Sequence, residues 1–211
     1  MELKEKLIEL RDKYVINQVK HAKLPDFEES KMKIKVIKIG GKLMENREVL
    51  ARLCDGLASL GEPFVLVHGG GLVGSQLATK LGVEVKMHEG RRITDEPTLE
   101  IAVMAYAGLA NKRVVAALQA RGVNACGLSG CDMAVVKSHR RPVKDIDWGF
   151  VGDVNPADIN ADFLQLLLEG GYVPVFCAIT HDSNGSLLNT NADTIASSVA
   201  MAMANFRYRS P

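Results

Sequence analysis

The sequence has few of the residues that build disulfide frameworks and zinc sites. Its 211 residues include one tryptophan and four cysteines, Cys54, Cys126, Cys131 and Cys177, and no two of these cysteines form a CxxC pair. A disulfide framework or a zinc site is therefore not expected, whereas buried thiols in a reducing compartment are.

Charge of one sign and long apolar runs are also lacking. Lys and Arg total 26 against 25 Asp and Glu, which excludes a global field that would recruit nucleic acid or an anionic membrane. No apolar run is long enough to cross a bilayer, and the charged N-terminus has no apolar signal-peptide core. We therefore expect a cytoplasmic protein with no nucleic acid and no membrane among its partners.

What the sequence does contain is a glycine loop, in the stretch PFVLVHGGGLVGSQLATKL at residues 63–81. An apolar run before the loop predicts a buried strand, and apolar residues at helical spacing after it predict a helix. Gly69, Gly70 and Gly71 leave backbone N–H groups open to an anion, and the helix N-terminus adds a positive dipole end. The pattern predicts a loop that holds a phosphate or a phosphoryl group. Two alternatives stay open, namely a dinucleotide fingerprint completed by Gly74 and a turn that merely needs glycine.

A second glycine turn, Gly40-Gly41, follows a predicted first strand at 34–39, which carries Lys38. Because ligands bind outside the carboxyl ends of the strands in an open α/β sheet, this turn and the loop at 69–71 should meet. One lysine and several N–H donors around one point suit phosphoryl transfer, since fixed donors stabilise the charge on the moving oxygens. The sequence contains neither a P-loop motif nor the HRD and DFG motifs of protein kinases.

The rest of the chain alternates strand patterns with helix patterns. Val83, Val85 and Met87 alternate with polar residues and predict an exposed hairpin, whereas a dinucleotide fold needs a buried strand there. A long helix is predicted over 95–121, and its small residues at 102–110 permit close approach of another helix, in the core or at a subunit interface. Further predicted elements are a strand, glycine turn and strand ending in Met133–Val136, a helix at Ala161–Glu169, a strand at Tyr172–Ala178 and a helix at Thr194–Ala204.

The first 31 residues stand apart from this pattern. Leu3, Leu7, Leu10 and Tyr14 recur at helical spacing between charged residues, which predicts an amphipathic helix. This extension is either a helix that docks on a partner subunit or a stretch that precedes the true start of the protein.

Six motifs follow one another over about residues 33–204, namely Lys38–Gly41, His68–Gly71, Gly90–Thr94, Gly108–Lys112, Gly149–Gly152 and Leu188–Asp193. Together they resemble the amino acid kinase family. The resemblance implies an α/β fold with an open, mainly parallel sheet sandwiched by helices. It is strongest to members that use ATP with Mg²⁺ to phosphorylate the side-chain carboxylate of N-acetyl-L-glutamate or N-succinyl-L-glutamate in arginine biosynthesis.

The resemblance implies one set of residues for the transferred phosphoryl group. Lys38 would stabilise that group, and Asp193 would orient the lysine. Backbone N–H groups of Gly40, Gly41 and Gly70 would bind phosphate. By residue type alone, Asp193 is equally well explained as the N-cap of the last helix.

The resemblance implies a second set for the acylglutamate. Gly70 and Gly71 would donate to the attacking carboxylate, Arg92 would clamp the α-carboxylate, and Asn189 would bind the α side of the substrate. A bidentate guanidinium suits a carboxylate, although a surface salt bridge would also explain Arg92. His68 has no catalytic role in this scheme and is expected to hold the glycine loop.

The resemblance also implies a domain organisation and an assembly. We expect an N-terminal helical extension at 1–31, the acylglutamate-binding part of the kinase domain at 32–204 and an atypical tail at 205–211. The C-terminal nucleotide-binding part, with the adenine site and a second lysine, is expected to be largely missing, so transfer by this chain should be impaired. Members of the family form homodimers or larger homo-oligomers. Two other hypotheses remain, a non-catalytic binding or oligomerisation module and a dinucleotide-binding oxidoreductase.

Overall fold

The computed structural model describes residues 34–44 and 46–204. The predicted helical extension at 1–31 and the predicted tail at 205–211 lie outside the described residues. Within the described part, the strands are β1 (Lys35–Ile39), β2 (Phe64–His68), β3 (Met87–His88), β4 (Arg91–Arg92), β5 (Ala125–Leu128), β6 (His139–Arg140), β7 (Val151–Asp153), β8 (Val173–Phe176), β9 (Ile179–His181) and β10 (Leu187–Thr190).

The helices of the described part alternate with these strands, as the sequence pattern predicts. Asn46 caps the first helix by accepting from the N–H groups of Glu48 and Val49, and Gly82 ends the second in the left-handed conformation. The α-helices are α1 (Arg47–Ala58), α2 (Gly71–Leu81), α3 (Glu96–Ala102), α4 (Asn111–Gln119), α5 (Ala161–Glu169) and α6 (Ala192–Ala202).

The main sheet is fully parallel, with strand order β1-β2-β8-β5. Every residue of β2 is buried, because helices cover both faces of the sheet, as in other parallel sheets. Ile39 lies in register with His68, so the two glycine turns that follow β1 and β2 leave the sheet side by side. The predicted α/β class with an open, mainly parallel sheet is confirmed.

A second, mixed sheet has the order β6-β7-β10-β9, and β3 pairs with β4 as a separate hairpin. The predicted exposed hairpin is therefore present as Met87–His88 and Arg91–Arg92. Its strands do not join the main sheet, so the dinucleotide interpretation of the glycine loop lacks the buried second strand that it needs.

The predicted long helix is present but changes its pitch in the middle. Asp95 caps α3 by accepting from the N–H of Thr98 at 3.1 Å, and Val103–Ala110 forms a π-helix that continues into α4. The combined stretch Glu96–Gln119 is long and apolar enough to span a membrane by length and composition alone, and 44 % of its most apolar window is buried inside the protein.

The small-residue face of this helix serves the chain's own core. Ala102 and Ala105 are fully buried, and both belong to the same apolar cluster as Val73 of α2. Ala102 and Ala105 therefore pack in the core, as one of the two predicted roles requires, whereas Gly108 in the same stretch is exposed. The contact of this stretch with a partner subunit stays a prediction. The large side chains that the π-helix exposes are Met104 and Leu109.

The second strand predicted at Met133–Val136 is wrong. Asp132–Ala134 instead forms a short 3₁₀ turn, in which the Asp132 carboxylate accepts from the Ser129 N–H at 2.6 Å and from its hydroxyl at 2.8 Å. A side chain that bonds the preceding backbone competes with strand pairing. The predicted helix at Thr194–Ala204 begins two residues earlier, because Asn191 caps it.

Candidate functional site

A cleft of about 500 Å³ lies where the glycine turns leave the main sheet. Of the predicted site residues, Gly40 is not among those that line it. The seven others line this one cleft together, namely Lys38, Gly41, Gly70, Gly71, Arg92, Asn189 and Asp193.

Lys38 and Asp193 form an ion pair at this cleft. Lys38 Nζ lies 2.9 Å from Asp193 Oδ1 and 3.2 Å from Oδ2, although 155 residues separate them in the sequence. The helix cap is Asn191, whose Oδ1 accepts from the N–H groups of Asp193 and Thr194. The interpretation of Asp193 as the N-cap is therefore wrong, and its carboxylate is free to hold the lysine.

The glycine turns bring backbone N–H groups together at the cleft. A Cβ placed on Gly41 would lie 3.9 Å from the nitrogen of Gly71 and 4.0 Å from that of Gly70. Gly71 begins α2, so its N–H belongs to the first turn, where no intrahelical acceptor exists. Such N–H groups, with the positive end of the helix dipole, suit a phosphate or a carboxylate.

Tyr106, which sequence reasoning missed, shapes the glycine loop. A Cβ on Gly70 would lie only 2.2 Å from its ring, and one on Gly74 would lie 2.9 Å from it. The ring is buried and lines the cleft, and burial raises the pKa of the phenol. The signal in the sequence was Gly74, because a glycine inside a helix often marks close packing.

Arg92 is held against the N-terminus of α2. Its Nη2 donates to the carbonyl of Gly71 at 2.9 Å and to Ser75 Oγ at 2.7 Å, whereas Nη1 is buried without a partner among the described residues. An interpretation as a surface salt bridge does not fit, because Arg92 pairs with no carboxylate of the described chain. A second missed residue, Ser75, fixes the guanidinium in place.

Asn189 reaches the cleft from β10. Its Nδ2 donates to Thr94 Oγ1 at 3.1 Å, and its backbone N–H donates to the carbonyl of Phe150 at 2.8 Å. Thr94 is fully buried, so it holds the amide rigidly. The amide group is therefore oriented before any ligand arrives.

His68 lies beneath the glycine loop and is fully buried. Its Nδ1 is 2.8 Å from the carbonyl of Gly69, and its Nε2 is 3.1 Å from Asn111 Nδ2. Burial lowers the pKa of His68 to about 4, so the ring is neutral at pH 7. These contacts agree with the predicted structural role.

A smaller lobe of about 240 Å³ adjoins the cleft and shares Gly90, Arg92 and Asn189 with it. Trp148 lines the lobe, and Arg141 lies 5.5 Å from the Trp148 ring centre. The lobe gives the site a second, cationic wall.

Comparisons with known proteins identify the family to which this chain is similar. The model of the amino acid kinase family matches residues 33–204. The acetylglutamate kinase of Phocaeicola vulgatus is 52 % identical over 175 residues, which cover 83 % of this chain and 67 % of that protein. The acetylglutamate kinase of Methanopyrus kandleri is 40 % identical over 174 residues, 81 % of this chain and 67 % of that protein. The chain thus spans about two thirds of the length of these relatives.

Solved structures show the same fold. The protein smu.665 of Streptococcus mutans superposes with a TM-score of 0.70 at 30 % identity, over 81 % of this chain and 69 % of that one. The N-acetylglutamate synthase of Neisseria gonorrhoeae, solved with coenzyme A and N-acetyl-glutamate, gives 0.68 at 26 % identity, over 81 % of this chain and 39 % of that one. By the family match over most of its length and by these relatives, the chain belongs to the amino acid kinase family.

Proposed function

We propose that this chain carries the acylglutamate site and the catalytic lysine of an ATP-dependent kinase that phosphorylates the side-chain carboxylate of N-acetyl-L-glutamate or N-succinyl-L-glutamate, a step of arginine biosynthesis. One observation carries the proposal. The cation of Lys38, the loop N–H groups, Arg92 and Asn189 meet at a single cleft. The acetylglutamate kinases that are about half identical to this chain support the choice of substrate.

The reaction needs no general base in this scheme. The nucleophile is a carboxylate with an ordinary pKa of about 4.3, so it is ionised at neutral pH. The site must instead bring two anions together and stabilise the charge on the phosphoryl oxygens. A lysine held by a carboxylate at 2.9 Å and a set of N–H donors fit that task.

Each predicted residue has a role in the proposal. Lys38 stabilises the negative charge on the transferred phosphoryl group, and Asp193 keeps the lysine ammonium in place. The N–H groups of Gly41 and Gly70 donate hydrogen bonds to phosphate oxygens. Gly40 shapes the turn that carries the Gly41 N–H.

Arg92 and Asn189 bind the α side of the acylglutamate. The Gly71 carbonyl and Ser75 hold the Nη2 of Arg92, and the residue lines the cleft, so we assign this fixed guanidinium to the substrate α-carboxylate. Asn189 has its Oδ1 left for the substrate, because Nδ2 is held by Thr94.

ATP is the phosphoryl donor in this proposal, and Mg²⁺ enters with the ATP phosphates, where it neutralises part of their charge. We place the reaction in the cytoplasm, in agreement with four free thiols, of which Cys54 and Cys177 are buried. We further propose a homodimer or a larger homo-oligomer, with the exposed Met104 and Leu109 on the π-helix at the contact. Light scattering tests this, and a monomer at all concentrations would contradict it.

The test of the function is the formation of an acyl phosphate, trapped with hydroxylamine, in this chain continued with the C-terminal third of a curated relative. We expect ATP-dependent trapping with at least one of the two acylglutamates. Lys38→Ala should lower kcat about 100-fold, because a fixed charge on the transition state is lost, and should leave KM for the acylglutamate nearly unchanged. The 211-residue chain alone should bind acylglutamate weakly and transfer phosphate poorly.

Two outcomes would contradict the proposal. Near-wild-type kcat in Lys38→Ala would remove the lysine from the mechanism. No acyl phosphate from either acylglutamate, with a folded protein, would leave a non-catalytic binding module as the better explanation.

A further inference from the structure

A buried amide joins three strands of the main sheet at their carboxyl ends. Asn111, the first residue of α4, is 1 % exposed. Its Nδ2 donates to the carbonyl of Val175 in β8 at 2.9 Å. Its Oδ1 accepts from Lys112 Nζ at 3.2 Å, and the same ammonium donates to the carbonyl of Gly127 in β5. Since a carbonyl can only accept and an ammonium can only donate, these partners fix which end of the Asn111 amide is nitrogen.

The orientation of Asn111 fixes the tautomer of His68. The amide nitrogen lies 3.1 Å from His68 Nε2 and can only donate, so Nε2 is the unprotonated nitrogen of the neutral ring. The proton is then on Nδ1, which donates to the carbonyl of Gly69 at 2.8 Å. The pKa of His68, lowered to about 4 by burial, keeps the ring neutral at pH 7.

The Gly69 carbonyl and the Gly70 N–H belong to one peptide unit. A trans peptide is planar, and its C=O and N–H point in opposite directions. Because His68 holds the Gly69 carbonyl on the buried side, the Gly70 N–H must point away from His68. The Gly70 nitrogen lies 4.0 Å from the position that a Cβ on Gly41 would take, and both glycines line the cleft. This peptide lies between two glycines, whose permissive backbone would otherwise let it rotate.

We propose that Asn111 and His68 are positioning residues that lock the Gly69–Gly70 peptide, so that the Gly70 N–H faces the bound anion. Neither side chain touches the substrate. The identity of that anion as an acylglutamate rests on the proposed function, whereas the lock itself does not. The proposed mechanism assigns no role to the Gly108–Lys112 motif. The lock explains why Asn111 and Lys112 occur in it.

A matched pair of variants tests the lock on the chain as it stands. In His68→Asn the amide nitrogen can take the place of Nδ1 and still donate to Gly69, whereas in His68→Gln the amide reaches the place of Nε2 and leaves Gly69 without a donor. Calorimetric titration with N-acetyl-L-glutamate should show an affinity within about threefold of wild type for His68→Asn and a loss of about tenfold or more for His68→Gln, as expected for one lost donor.

Nuclear magnetic resonance gives a readout that does not need a ligand. We expect the wild-type His68 ring to carry its proton on Nδ1, and the Gly70 amide to give one sharp signal in wild type and His68→Asn but a doubled or broadened signal in His68→Gln. A wild-type ring protonated on Nε2, or the same Gly70 signal in both variants, would overturn the lock even if the variants differed in stability. A wild-type chain that shows the lock but does not bind N-acetyl-L-glutamate would overturn the proposed function and leave the lock standing.

Discussion

At the scale of single residues, two neighbouring residues adopt a backbone conformation that suits glycine better. Met133 and Ala134 have φ angles of 51° and 49°, in the left-handed region, where a Cβ crowds the following carbonyl. Met133 is 67 % exposed, so its side chain contributes little to packing. The turn is retained because Asp132 bonds back to Ser129.

We therefore expect Met133→Gly to raise the free energy of unfolding by about 1 kcal/mol, since the left-handed penalty is removed. Urea denaturation followed by circular dichroism measures the change. Ala116→Gly, an exposed helix position in α4, is the control and should lower stability by about 1 kcal/mol. A loss of stability in both variants would show that Met133 is not strained.

The sequence predicted the residues that line the site better than it predicted the residues that hold them in place. Lys38, Gly70, Gly71, Arg92, Asn189 and Asp193 were found because motifs mark them, and the fold brings them to one cleft. Tyr106 and Ser75 were missed, because a side chain that touches a loop from another element leaves no local pattern in the sequence. Thr94 stands in the Gly90–Thr94 motif, but its contact with Asn189 was not predicted. Only the three-dimensional contacts assign them.

At the scale of elements, the packing of α2 against the π-helix decides which glycines can change. Gly74 in α2 faces the Tyr106 ring, and an added Cβ would lie 2.9 Å from it. Gly56 in α1 has nothing within 4 Å of the same position. Both are helix interiors, where alanine is intrinsically preferred by about 1 kcal/mol.

The two substitutions should therefore act in opposite directions. We expect Gly56→Ala to stabilise the protein by roughly 0.5–1 kcal/mol, and Gly74→Ala to destabilise it, because overpacking typically costs about 1–3 kcal/mol. Thermal unfolding of both variants beside wild type measures this. A stabilised Gly74→Ala would mean that Tyr106 can leave the glycine loop freely.

Some secondary-structure elements were predicted correctly from the sequence and others were not, and the difference lies in how clearly their ends are marked. Strand β2 and helix α5 were predicted well, because each apolar pattern is followed by glycines, Gly69–Gly71 after β2 and Gly170-Gly171 after α5. The strand at Met133–Val136 was wrong because apolar composition alone cannot distinguish a strand from buried residues beside a turn. The role of the small residues at 102–110 was open for a similar reason, since an alanine face fits a neighbour in the same chain as well as one in another.

At the scale of the whole molecule, one buried ring couples stability to pH. The pKa of His68 is about 4 in the folded protein against about 6.5 in an unfolded chain. Between these values the unfolded chain binds a proton that the folded protein does not. The contribution of neutral His68 to the free energy of unfolding is therefore fully present above pH 6.5. It is lost as the pH falls towards 4, by at most about 3 kcal/mol.

Denaturant midpoints between pH 4 and pH 8 measure this effect. His68→Asn is the control, because it lacks the titrating ring, and its stability should fall less steeply than that of wild type from pH 6.5 to 4. Equal slopes in the two proteins would show that His68 titrates at an ordinary pKa and is not held neutral by burial.

The central claim is that one cleft of this chain binds an acylglutamate through Arg92, Asn189 and the glycine loop. Calorimetric titration of the 211-residue chain with N-acetyl-L-glutamate and with N-succinyl-L-glutamate tests it most directly, with Arg92→Ala beside wild type. We expect saturable one-to-one binding of at least one acylglutamate and a rise in Kd of about 10- to 100-fold in the variant, because a charge-assisted hydrogen bond is lost. No binding of either compound to a folded wild-type chain, or the same Kd in both proteins, would contradict the claim.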